Sequence, residues 1–125
     1  MSVKFIATRF MDLCNQGKHF EVMRNMYSPD MVSVEGDGKE YVGKENVIRK
    51  SEIFQGNNTI HTQDLRGPYY CGDENAPSGR FAVWTSIQFT PKAGGPRETH
   101  AEVGLYTVKN DTITREEFFY DGAFL

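Results

Sequence analysis

The sequence predicts an α+β fold, with three N-terminal helices packed on a curved, mainly antiparallel sheet. Three observations carry that prediction. In the first part of the chain, to residue 55, apolar residues mostly recur at helical spacing. From residue 59 they alternate with polar residues, which is the period of a strand. Glycine- and proline-rich stretches, "EGDG", "RGP", "NAPSG" and "KAGGP", break the chain between these segments. Helices first and strands last, without regular alternation of the two, is the α+β order.

Val3, Ile6, Phe10, Leu13 and Cys14 set a first helix over residues 3–16, and Gly17 stops it. Phe20, Met23 and Met26 or Tyr27 share one face of a second helix over 18–27. It ends at Ser28-Pro29-Asp30, because the residue before a proline avoids the helical region. Residues 31–35 form a short strand, "EGDGK" is a turn, and "EYVG" is a brief returning strand. Residues 44–55 form a third helix, with Val47, Ile48 and Phe54 inward and the charges outward. The segment from Thr59 to Asp73 is β-rich, and its Gly67-Pro68 pair predicts a bulge or bend. In residues 80–90, Phe81, Val83, Thr85, Ile87 and Phe89 share one face, while Trp84, Ser86 and Gln88 share the other. Two more strands, 97–109 and 112–121, meet at a tight turn at "KND", with Asp121 as a turn residue after the last.

A length of 125 residues predicts one domain, 1–125, large enough to bury a core. Nine Phe, six Tyr and one Trp suit a sheet-rich fold around an aromatic cavity. A net charge of −3 with no basic stripe excludes a nucleic-acid binder. No apolar run approaches the ~20 residues that span a bilayer, and the N-terminus lacks a signal-peptide core, so no membrane partner is expected. Cys14 and Cys71 stand in no metal or redox spacing, and a reducing, cytoplasmic location is expected. The three histidines are dispersed, so no metal and no cofactor are expected.

The segments "NQGKHFEVMRNMYSPDMVSVEG", "YVGKENV" and "GLYTVKNDTITREEFFYDG" resemble the SnoaL-like and ketosteroid isomerase-like families of the nuclear transport factor 2-like superfamily. The resemblance spans nearly the whole chain and implies a cystatin-like α+β cone. It implies no single activity, because the superfamily includes isomerases, cyclases, dehydratases and members without chemistry. In the isomerase pattern a carboxylate base lies five residues after the acid following the second helix. Counted from Asp30, that place holds Glu35. The pattern's two oxyanion donors fall on Phe10 and Gly104, so both are absent. The resemblance also implies that His100, Glu102 and Tyr106 face the cavity from the penultimate strand, and Glu116, Phe118 and Tyr120 from the last.

The implied function is binding of a small apolar or polycyclic molecule, with cofactor-independent isomerase, cyclase or dehydratase chemistry. In that reading Glu35 is the base, and His100 with Glu102 is the acid or orienting pair. Phe10, Phe81, Val83, Tyr106, Glu116, Phe118 and Tyr120 hold the substrate. The alternative is a non-catalytic ligand-binding or protein-interaction module of the same fold. Two patterns in the residues pull the other way. Val32 and Val34 alternate with Glu35, so an amphipathic strand would turn Glu35 to solvent. Ala101, Val103 and Leu105 are the apolar parity of the penultimate strand, and hydrophobicity alone would turn them, not His100 and Glu102, toward the helices. A convex face covered by a second copy explains the same pattern, with Trp84 on that face, and predicts a homodimer through it.

Overall fold

The computed structural model describes residues 1–120; Asp121 and the residues after it lie outside the described residues. Three helices, α1 (Val3–Asn15), α2 (His19–Met26) and α3 (Lys44–Asn57), lie with six strands. These are β1 (Tyr27–Val34), β2 (Glu40–Val42), β3 (Asn58–Tyr70), β4 (Gly79–Pro91), β5 (Glu98–Lys109) and β6 (Thr112–Phe119). They form one sheet in the order β2-β1-β6-β5-β4-β3, antiparallel except for the β1–β6 pair. The helices pack on one face of this curved, unclosed sheet.

Ser2 caps α1 by accepting the Phe5 N–H at 3.1 Å, and Val3, Ile6, Ala7, Phe10, Met11 and Cys14 form its buried face. Strand β1 begins at Tyr27, four residues earlier than its sequence pattern suggests, and so contains Pro29. A register shift between Tyr27 and Val32 accommodates the proline, which has no N–H for a ladder. The Gly67-Pro68 pair likewise sits at a register shift between Arg66 and Tyr69.

The β4–β5 register decides the parity of the long strands. Phe81 pairs with Tyr106, Val83 with Gly104 and Thr85 with Glu102. Because Phe81 and Val83 are 0% and 1% exposed, their partners face the helices with them. The odd-numbered residues of β5 point the other way, and Val103 is 38% exposed. Hydrophobicity within β5 alone would give the opposite answer; the neighbouring strand overrules it. On β6 a second shift, between Thr107 and Val108, changes the inward parity from Ile113 to Glu116.

Candidate functional site

A cavity of about 180 Å³ opens between α1, α2 and α3 and the inner face of the sheet. Its apolar wall includes Phe10, Phe20, Phe54, Ile87, Tyr106 and Phe118. Its polar wall holds three carboxylates, Glu35, Glu102 and Glu116, and one lysine, Lys50.

Glu35 follows the last residue of β1, on the face it shares with Met31 and Ser33, and is 7% exposed. Its backbone is fixed by a turn: its N–H donates to the Lys39 carbonyl at 2.9 Å, and its carbonyl accepts the Gly38 N–H at 2.8 Å. Val32 and Val34 are half-buried on the other face. The amphipathic reading of this strand therefore does not hold: α3 packs against β1, and Met31, Ser33 and Glu35 are its buried side.

Lys50 meets Glu35 from α3. Its ammonium donates to Glu35 Oε1 at 2.5 Å and to Ser33 Oγ at 2.6 Å, and lies 3.8 Å from Glu116 Oε2. The Tyr41 and Phe118 rings flank it at 5.1 and 5.2 Å. The sequence expectation that the charges of α3 point outward fails at this residue. Lys50 follows Val47 by three positions and precedes Phe54 by four, so it occupies the apolar stripe. That spacing was a legible signal. A lysine on such a stripe is outvoted by the general rule that charges stay wet.

Glu116 is the most enclosed of the three carboxylates, at 2% exposed. Parallel pairing sets it beside Ser33, whose hydroxyl donates to Oε2 at 2.7 Å, and the Tyr27 hydroxyl donates to Oε1. Burial pushes this carboxyl above its ordinary 4.5. Lys50, Tyr27 and Ser33 pull it back, and the Glu35 charge adds to the rise. As pH climbs through this interval the unfolded chain loses its proton before the folded one, so the group costs stability with rising pH. In urea melts taken upward from pH 4.5, the stability of the native protein is expected to fall relative to Glu116→Gln. A gap that stays constant with pH contradicts the assignment.

Tyr120 and His100 stand behind the polar wall rather than lining the cavity. The Tyr120 hydroxyl donates to Glu35 Oε2 at 2.6 Å. Its ring lies over Gly36, where an added Cβ would come within 2.8 Å of it. Gly36 thus serves as a seat for that ring, beyond the turn role its sequence suggests. His100 packs edge-on against Tyr120, with ring centroids 4.7 Å apart, and its Nε2 lies 3.9 Å from Glu102 Oε2. Burial first, then the bond to Glu35, raise the Tyr120 phenol, so it remains a proton donor. Burial first raises Tyr27 and Tyr106 as well.

Of the residues expected to hold a substrate, Phe10, Tyr106, Glu116 and Phe118 line the cavity. Phe81 and Val83 do not. Phe81 is covered by the rings of Phe10 and Tyr106, at 5.5 and 5.2 Å, and both residues belong to the core. Sharing the inward face of β4 does not bring them to the wall, because α1 closes over that end of the strand. The Tyr106 hydroxyl lies above Gly104, 2.8 Å from where a Cβ would stand. The place where the isomerase pattern has an acid is therefore filled by a tyrosine from two residues along. Burial, then the Glu116 charge, push the Cys14 thiol up to about 12, which makes it a poor nucleophile. Among the described residues, no group of three or more His, Cys, Asp or Glu is placed to hold a metal ion. No helix among them is long and apolar enough to cross a membrane.

A family profile for the SnoaL-like domain matches residues 1–120. A crystal structure of a candidate SnoaL-like polyketide cyclase from Mesorhizobium loti is 38% identical, with a TM-score of 0.85, over 96% of this chain and 100% of that one. An NTF2-like protein from Burkholderia thailandensis is 13% identical, with a TM-score of 0.77, over 97% of this chain and 92% of that one. A protein with a ketosteroid isomerase-like fold from Catenulispora acidiphila, solved with trimethylamine, is 14% identical, with a TM-score of 0.67, over 93% of this chain and 85% of that one. The last two show the fold alone. No curated protein matches the sequence. The profile match over nearly all of the chain, together with the cone and its cavity, establishes that this chain belongs to the SnoaL-like domain family.

Proposed function

We propose that this domain binds a small, largely apolar carbonyl compound and moves a proton on it without a cofactor, as an isomerase, cyclase or dehydratase does. The observation that carries the reading is the Glu35–Lys50–Glu116 array inside an apolar cavity. Taking such ions out of water costs several kcal/mol each, and a buried ion pair is poor evidence for a stabilising purpose. Placed on a cavity wall, the array has a use. Glu35 is the base: Lys50 pairs with it and Tyr120 orients it. A carboxylate offers about four lone-pair sites, so these two partners leave acceptor capacity for a substrate proton. Tyr106 donates to the substrate oxygen, where charge develops. Among the described residues its hydroxyl has no hydrogen-bond partner. His100 acts as a positioning residue through Tyr120 and Glu102.

The test is deuterium uptake at the α-carbons of a bound bicyclic ketone such as 2-tetralone, followed by NMR in D₂O. Uptake faster than in buffer supports the reading. A ketone that binds without accelerated exchange leaves the non-catalytic binding module. That second reading rests on the same fact seen from the other side: both oxygens of Glu35 already have partners.

The proposal extends to a homodimer through the convex face of the sheet. Val103 and Phe119 are register partners there, 38% and 56% exposed, and Val103 is also the partner of Trp84. Light scattering is expected to give about twice the 14.2 kDa chain mass for the native protein and the single mass for Phe119→Lys. A native monomer refutes the dimer.

A further inference from the structure

The cavity's charges do not balance, and the imbalance sits at one residue. Lys50 is shared by Glu35 and Glu116, and every oxygen of those two carboxylates receives a donor: Lys50, Tyr120, Tyr27 or Ser33. Glu102 differs. Among the described residues no hydrogen bond reaches its carboxylate, and its one ion-pair partner is the His100 imidazole at 3.9 Å. Its side chain is 13% exposed, and it lines the cavity together with the Tyr106 and Phe118 rings. If Glu116 is protonated, Lys50 neutralises Glu35 and Glu102 leaves the wall net negative. If Glu116 is ionised, the excess of negative charge is larger still. A ligand bearing one cation cancels the excess in the first case and halves it in the second, and aromatic faces favour the same charge.

From this charge count and the carboxylate's unused acceptor sites we infer that the ligand of this cavity carries an ammonium group on an apolar body, and that Glu102 anchors it. The inference deepens the proposed function: it needs the cavity to bind a ligand, but does not need turnover. It gives the polar wall two separate duties. Glu35, with Lys50 and Tyr120, faces the reacting carbon, while Glu102 fixes the amine and so the orientation of the substrate. A hydrogen bond to a charged group typically yields a ~10- to 100-fold preference over a neutral isostere.

The experiment is calorimetric titration of the native protein with three phenyl-bearing probes: 2-phenylethylammonium, its isostere 2-phenylethanol, and 3-phenylpropionate. The expected ranking is ammonium, then alcohol, then carboxylate, with the first two ~10- to 100-fold apart. In Glu102→Gln the ammonium is expected to lose that advantage while the alcohol binds as before, which also shows that the variant is folded. Alcohol binding with no preference for the ammonium overturns the inference and leaves the cavity reading standing. A preference that survives in Glu102→Gln also overturns it. A carboxylate probe that binds as tightly as the ammonium does so from the native protein alone. Failure of all three probes removes both the inference and the cavity reading beneath it.

Discussion

Lys50→Met is expected to lower the unfolding free energy by about 3–5 kcal/mol. For a chain of this length that is a fall in Tm of roughly 10–20 °C. The ammonium is 7% exposed and makes contact with Glu35, Ser33 and Glu116, so water cannot replace it. Its removal leaves two neighbouring buried carboxylates facing each other without a counterion. Methionine fills nearly the same volume, so the loss reports charge rather than a cavity. Urea denaturation measures it, and the double variant Glu35→Gln/Lys50→Met supplies the control. If uncompensated charge is the cause, the double variant is more stable than Lys50→Met alone. Equal stability would mean that the ammonium's contact with the Tyr41 and Phe118 rings carries the effect instead.

Glu35→Gln is expected to slow protein-accelerated deuterium uptake by about 10²–10⁴-fold, the usual contribution of a positioned general base. Glutamine keeps the shape and can still accept the Tyr120 hydroxyl, so binding of the ketone should change little. The expected signature is therefore a fall in the exchange rate at saturation with a nearly constant Kd. An unchanged exchange rate removes Glu35 as base. A lost Kd with an unchanged rate would make Glu35 a binding residue instead.

Glu35 shows why part of the site was legible and part was not. Its position five residues after Asp30 marks it through the family resemblance. Of its two partners, the resemblance marked Tyr120 as a cavity residue but not as a partner of Glu35, and it did not mark Lys50 at all. Lys50 comes from helix α3 and Tyr120 follows a strand and lies 85 residues further on, so only folding brings them together. Lys50 did leave a trace at helical spacing between Val47 and Phe54, but composition rules assign a lysine to solvent. Tyr27 and Ser33 left none, because Tyr27 reads as an apolar residue ending the second helix and Ser33 as a small residue between two strand valines. Phe81 and Val83 err in the opposite sense: an inward-facing apolar residue is predicted equally well for a cavity wall and for a packed core.

Local patterning alone determined the three helices, the long strands, the Gly67-Pro68 irregularity and the α+β order, because period and turn chemistry act over a few residues. Tertiary structure decided which side of β5 faces inward, since that depends on its pairing with β4, whose own alternation is unambiguous. It also decided that four charged side chains share one hollow. Charges are gathered by strand register and by helix placement, and neither is encoded within any single segment of the chain.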